Sequence, residues 1–282
     1  MPPDRGLADK RNPGVKGRKV RLTYAFTINA DGSEKLQPLV IGKAKKPRAF
    51  GRKSGAQLGF YYWNNAKAWM TTDIYQEWLK DWDQKLATTD RKILLIVDNF
   101  SGHTTPRGLK NIEIVHFEPN LTSHVQPADQ GIICCFKAHY RSRYIKQAIS
   151  RYDSGTTPGE IYDINQLEAM RLADAAWQEV DTTTIRHCWM KAGILPSSVT
   201  TVTETICPSV PISSLVHNAD PQMDPVLHAE NQLQDVLDDL ESTGCLQSVN
   251  RMDIEGLLNP AEESVIIDDT TDQEIYEAVM AS

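Results

Sequence analysis

Basic residues all but vanish from the final stretch of this chain. After position 200 there is one, Arg251, against 17 acidic residues. Such a segment cannot hold a polyanion by charge, and it fits self-screening or a protein partner. No CxxC pair occurs: the five cysteines stand at 134, 135, 188, 207 and 245. That spacing argues against a thiolate zinc site and reads as reduced core thiols of an intracellular protein. No apolar stretch reaches the roughly 18 residues of a membrane span. The opening residues, MPPDRGLADKRNPG, have neither the apolar core of a secretory signal nor the pattern of an arginine-rich presequence. No internal repeat is visible.

What is present divides by charge. Residues 1–200 carry 29 Lys and Arg against 20 Asp and Glu, a basic body suited to DNA. At 282 residues the chain has room for one large domain with a tail. The composition places a loop entry at 1–18, a folded domain at 19–200, and an acidic linker and tail at 201–282, in which Gln232–Leu240 and Asp272–Met280 read as short helices.

Within the body, Lys19–Asn29 reads as a strand, Ala30-Asp31-Gly32-Ser33 as a hairpin turn, and Leu36–Ile41 as the return strand. Pro38 points to an edge position or an irregularity in that return strand. In the turn, Asp31 reads as a turn residue rather than a catalytic acid. The segment Lys43–Lys53 holds six basic residues in eleven: Lys43, Lys45, Lys46, Arg48, Arg52 and Lys53. It is the candidate surface for a phosphate backbone, a solvated loop being the plain alternative. Tyr61–Met70 reads as an aromatic connector. A helix capped at Thr72 or Asp73 runs to about Leu86, with Ile74, Trp78, Leu79 and Trp82 on one face. Further helical patterns cover Gly131–Ser150, Asn165–Val180 and Thr183–Ala192.

Two acids stand where chemistry would be placed. The run Ile93–Val97 is five apolar residues ending in Asp98-Asn99, a buried strand opening into a site. A second such run is Ile112–Phe117. Thirty residues lie between Asp98 and Asp129, and Asp129 stands at the start of a helical pattern, where the helix dipole favours an anion. Capping alone is the plain structural role for Asp129. An acid at a strand end and an acid at a helix start can converge on Mg²⁺, which takes one or two carboxylates together with waters and substrate phosphates.

Five separated motifs, NADGSEKLQPLVIGKAKKPRAF, AWMTTDIYQEWL, VDNFSGH, PNLTSHVQPADQGII and FKAHYRSR, together resemble the DDE superfamily endonuclease domain of pogo/Tigger-like transposases, a family that includes CENP-B-like relatives. The likeness covers about residues 15–195. It implies an α/β, RNase H-like mixed sheet flanked by helices, in which three acids hold two divalent ions, Mg²⁺ or Mn²⁺, roughly 3.5–4 Å apart for in-line displacement at phosphorus. Asp98 matches the family's second acid and Asp129 its third. Asn99, His103, Gln126 and Gln130 match motif positions that shape the site.

The family's first acid, on the first and central strand, has no counterpart here. Asp4 and Asp9 lie in Pro/Gly-rich context unsuited to a strand. The expectation is therefore a truncated or decayed transposase product, still DNA-directed and nuclear, but impaired as a metal-dependent endonuclease. A homo-oligomer and a protein bound by the acidic tail are further expected partners. The alternative is a non-catalytic nucleic-acid-binding or scaffold protein. The absent strand would leave either direct pairing of the hairpin with the Asp98 strand or a groove.

Overall fold

The computed structural model describes residues 21–117, 125–194, 224–246 and 251–260. The loop entry at 1–18, residues 201–223 of the acidic linker and tail read at 201–282, and the helix read at Asp272–Met280 lie outside these residues. Contacts divide the chain into two compact units. One comprises Val20–Phe136 and Asn165–His228, and the other comprises Met1–Lys19, Lys137–Ile164 and Ala229–Ser282.

The first unit is mixed α/β and holds two small sheets. In the larger, β1 (Leu22–Ala25) pairs antiparallel with β2 (Leu39–Gly42), and β2 pairs parallel with β3 (Tyr61–Asn64). The hairpin turn forms as its residues dictate: the Asp31 carboxylate accepts from the backbone N–H of Ser33 at 3.0 Å and from its hydroxyl at 2.7 Å. Strand β2 is buried along its whole length because both faces are covered. Leu39 and Ile41 meet Ile74 on one side, while Val40 meets Phe50, Phe60 and Met170 on the other. This corrects two expectations. Pro38 precedes the middle strand of the sheet rather than marking an edge. The aromatic stretch read as a connector supplies β3, whose Tyr61 and Trp63 pack with Leu39 and Ile41.

Helix α1 (Thr72–Thr88) begins one residue earlier than its sequence signals suggest, with the Thr71 hydroxyl accepting from the Ile74 N–H. The smaller sheet pairs β4 (Ile93–Val97) with β5 (Ile112–His116) in parallel. One face of it, made of Ile93, Leu95, Ile112 and Ile114, packs on Tyr75, Leu79 and Leu86 of α1. On the opposite face Leu94 is 58% and Val115 45% exposed. Met70 and Trp78 touch the core under both sheets, so α1 straddles them. The hairpin and the Asp98 strand do not pair: β1 and β4 lie in separate sheets.

Helix α2 (Ile133–Asp153) follows a single π-turn, Ala128–Ile132, and its first residues close the first unit. Phe136 joins Phe26, whose ring lies 4.5 Å from both Phe136 and Trp177. Trp177 belongs to α3 (Gln166–Glu179), which starts in a capping box between Asn165 and Glu168. The end of α3 is held from the hairpin: Lys35 Nζ donates to the carbonyls of Trp177 at 2.8 Å and Val180 at 2.6 Å. Helix α4 (Thr182–Lys191) is capped by Asp181.

The second unit is helical among its described residues. It takes the rest of α2, most of α5 (Pro225–Ser242) and α6 (Ile254–Leu258). The short helix expected at Gln232–Leu240 is thus twice that length. Leu233, Leu237 and Leu240 of α5 are buried, as are Ile145, Ile161, Leu257 and Leu258. Arg251, the one basic residue past position 200, pairs with Asp238 at 2.5 Å and Glu241 at 2.7 Å. Arg141 is buried and donates from Nε to the Leu257 carbonyl at 3.2 Å.

Candidate functional site

Parallel strands that end side by side present their carboxyl ends as a natural place for chemistry. Here Val97 of β4 is in register with His116 of β5, and Asp98 emerges directly beyond. The chain then turns sharply, with the His103 N–H donating to the Phe100 carbonyl at 2.9 Å. This turn swings the imidazole back onto the acid. His103 Nδ1 lies 2.5 Å from Asp98 Oδ1, a contact whose angles fall outside those of a hydrogen bond. The His103 ring lies 4.5 Å from the ring of Tyr75 on α1, and the edge of Phe100 meets it at 5.3 Å. His116 Nε2 stands 3.0 Å from the His103 carbonyl. Asn99 is exposed.

Tyr75 was not among the residues singled out from the sequence. It is 2% exposed, and its hydroxyl has no hydrogen-bond partner. Burial, and then the nearby Asp98 charge, push it up to about 12. Its position on the buried face of an amphipathic helix was legible. Its neighbour Asp98, 23 positions on in sequence, was not.

Asp129 lies in the π-turn and is exposed. The turn is held by the Gln126 carbonyl, which accepts from the N–H groups of Asp129 at 3.0 Å and Gln130 at 3.2 Å. Lys191 Nζ donates to the Gln130 carbonyl at 3.3 Å, and the side-chain oxygen of Gln126 is buried without a partner. Gly131 separates this turn from α2 with φ of 149°. Asp129 therefore sits before a kink rather than in the regular first turn of the helix.

Among the described residues no group of three or more His, Cys, Asp and Glu comes together to hold a metal ion. Asp98 faces His103 across that short contact without a hydrogen bond. A two-ion centre needs acids that bridge and flank both ions, and the described residues gather no such set.

The basic segment is ordered from beneath. Lys43, Lys45, Lys46, Arg48, Arg52 and Lys53 are all exposed, while Pro47 and Phe50 between them are buried. Phe50 meets the Tyr62 ring edge-on at 5.1 Å, and the Tyr62 hydroxyl donates to the Ala44 carbonyl at 2.7 Å. That hydroxyl comes so close to Gly42 that a Cβ there would lie 2.3 Å from it. The loop's cations are thus carried on a fixed backbone. Tyr62, which pins it, was hidden in the aromatic stretch read as a connector.

Comparison with known proteins settles the lineage. The family model of the DDE superfamily endonucleases matches residues 19–189. The chain belongs to the pogo/Tigger-like DDE superfamily endonucleases. It is 34% identical over 175 residues to mouse Tigger transposable element-derived protein 4, covering 62% of this chain and 33% of that protein. It is 32% identical over 204 residues to the fission-yeast CENP-B homolog protein 2 (68% and 39%), and 32% over 187 residues to human major centromere autoantigen B (66% and 30%). The chain spans about a third of the length of these relatives. No solved structure matches. Among the described residues no helix is long and apolar enough to cross a membrane.

Proposed function

We propose that this member of the DDE superfamily is a DNA-binding protein of transposase descent, built on an RNase H-like domain and acting in the nucleus. The observation that carries the reading is the pinned basic loop: six exposed cations between Lys43 and Lys53 on a backbone fixed by Phe50 and Tyr62. Phosphate contacts from a preordered loop forgo the ordering cost that a flexible one bears. The RNase H-like assignment draws on the element order, a hairpin, a helix, two parallel strands and then helices. Of the catalytic set, Asp98 and Asp129 are the acids assigned to the site, with Asn99, His103, Gln126 and Gln130 shaping it. Mg²⁺ or Mn²⁺ is the family's ion. The acidic segment past position 200 is the surface assigned to a protein partner.

Gel-shift titration with duplex DNA tests the binding. Affinity should fall steeply between about 50 and 200 mM salt, with a slope of about −0.9 per phosphate neutralised. Replacing the six cations with Gln should flatten that slope, and affinity indifferent to salt would refute the reading. Plasmid nicking in Mg²⁺ or Mn²⁺ that disappears in both Asp98→Asn and Asp129→Asn would instead establish an active endonuclease.

A further inference from the structure

We propose that Trp69 and the cations around it form a seat for an unpaired nucleobase, so that this chain holds DNA at a single-stranded segment. The proposal rests on the DNA-binding reading and adds to it the state of the bases. The register of the larger sheet sets the seat beside the basic loop. Leu22, Gly42 and Asn64 stand side by side in β1, β2 and β3. Arg21 therefore enters the sheet at the end where Lys43 and Asn65 leave it. There the Asn65 N–H donates to the Gly42 carbonyl at 3.1 Å, which ties the turn after β3 to the root of the cationic loop.

That turn is built around Asn65. Its side-chain oxygen accepts from the N–H groups of Lys67 and Trp69, each at 3.1 Å, and its amide donates to the Trp69 carbonyl. Between them Ala68 is buried and held at φ of 56°, and its carbonyl accepts from the Thr23 hydroxyl at 2.8 Å. Left-handed backbone is costly for a residue with a Cβ, and such strain gathers where a ligand is clamped. What it sets in place here is Lys67 and Trp69. Lys67 Nζ lies 5.3 Å and Arg21 Cζ 5.9 Å from the centre of the Trp69 ring. Those distances are near the outer limit of a cation–π contact, about 6 Å, so neither cation is packed flat on the ring. Lys67 and Arg21 are exposed and Trp69 is half-buried. Its Nε1 lies out of solvent without a partner. The polar edge is thus turned in, and any contact the ring makes outward is through carbon. A base of any kind stacks on such a face, while cations beside it take the phosphates. Inside a duplex each base already has neighbours on both faces, so an unpaired one is the one free to stack.

Fluorescence anisotropy on the full chain, at low and high salt, tests it with labelled oligo(dT), an abasic strand of equal length and a duplex. The abasic strand keeps the phosphates and lacks the bases. Oligo(dT) should bind about fivefold tighter than the abasic strand or better, the lower end of what one base stack contributes. Trp69→Leu fills the space without a π face and should bring the two strands level, with duplex affinity unchanged. Trp69→Phe should keep part of the gap. Equal affinity of the parent chain for the two strands overturns the proposal, and no variant is needed to see it. So does a preference for bases that Trp69→Leu leaves whole, including one where all three affinities fall together, the mark of a merely structural role. In either case salt-dependent duplex binding spares the DNA-binding reading, whereas binding indifferent to salt on all three probes sinks both.

Discussion

At the scale of single residues, the same apolar surroundings that build the core also set the protonation of the groups caught in it. Tyr61 is the clearest case. Its hydroxyl donates to Asp81 Oδ2 at 3.0 Å, and burial first, then that hydrogen bond, push it up to about 12. The unfolded chain releases this proton near the ordinary tyrosine value of about 10. The stabilisation is therefore whole below pH 10 and is lost as pH rises from there to 12. Tyr61 is only half buried, so solvent screening reduces its share to about 1 kcal/mol. Urea unfolding at pH 8 and pH 11.5 should show Tyr61→Phe losing about that much less stability than the parent across the interval. Equal losses would mean that the phenol titrates normally. Asp98 and His103 illustrate the limit of reading such pairs from sequence. Their five-residue separation and the intervening Gly102 made a turn legible, but the helix-borne Tyr75 beneath them is brought in by tertiary packing alone.

At the scale of elements, Gly131 decides how the Asp129 turn meets α2. Its φ of 149° favours glycine, and a Cβ there would lie 2.6 Å from Val226 Cγ2 and 3.1 Å from Cys188 Sγ. Two penalties coincide, one of backbone conformation and one of overpacking. Gly131→Ala should cost about 2–3 kcal/mol in urea unfolding, whereas Gly155→Ala, at a positive φ with nothing nearby, should cost about 1 kcal/mol. Comparable costs would remove the special role of the packed turn. Elements with a strong period were readable in advance: α1 from Ile74, Leu79 and Trp82, β4 and β5 from unbroken apolar runs, α3 from the helical pattern over Asn165–Val180. Strand β3 was not, because Tyr61-Tyr62-Trp63-Asn64 shows no alternation of polar and apolar side chains and is too short for a period to emerge. Pro38 misled because it sits one residue before β2 begins, where its missing N–H removes no ladder bond. Helix α5 was shortened by its acids. Their charge reads as a solvated tail, while the buried stripe of Ala229, Leu233, Val236, Leu237 and Leu240 is what holds the helix down.

At the scale of the whole molecule, the first unit's two sheets are not joined by strand pairing among the described residues, so there their unity rests on side chains. Helix α1 is the joint. Ile74 serves the β1–β2–β3 sheet; Tyr75, Leu79 and Leu86 serve the β4–β5 sheet; Met70 and Trp78 reach both. A two-stranded sheet is marginal by itself in water, so β4 and β5 should depend on that packing more than the three-stranded sheet does. Trp78 is the residue whose loss is felt on both sides, and truncating a large core aromatic costs about 3–5 kcal/mol when fully buried. For the partly buried Trp78, Trp78→Ala should cost about 2–3 kcal/mol. Amide hydrogen exchange should then show protection falling at Ile41 of β2 and at Leu95 of β4 together. Leu86→Ala, whose side chain lies under the smaller sheet alone, should expose Leu95 while leaving Ile41 protected. If Trp78→Ala released only one of the two amides, α1 would not be what couples the sheets. The candidate site at the end of β4 would then be held by β5 and its own turn.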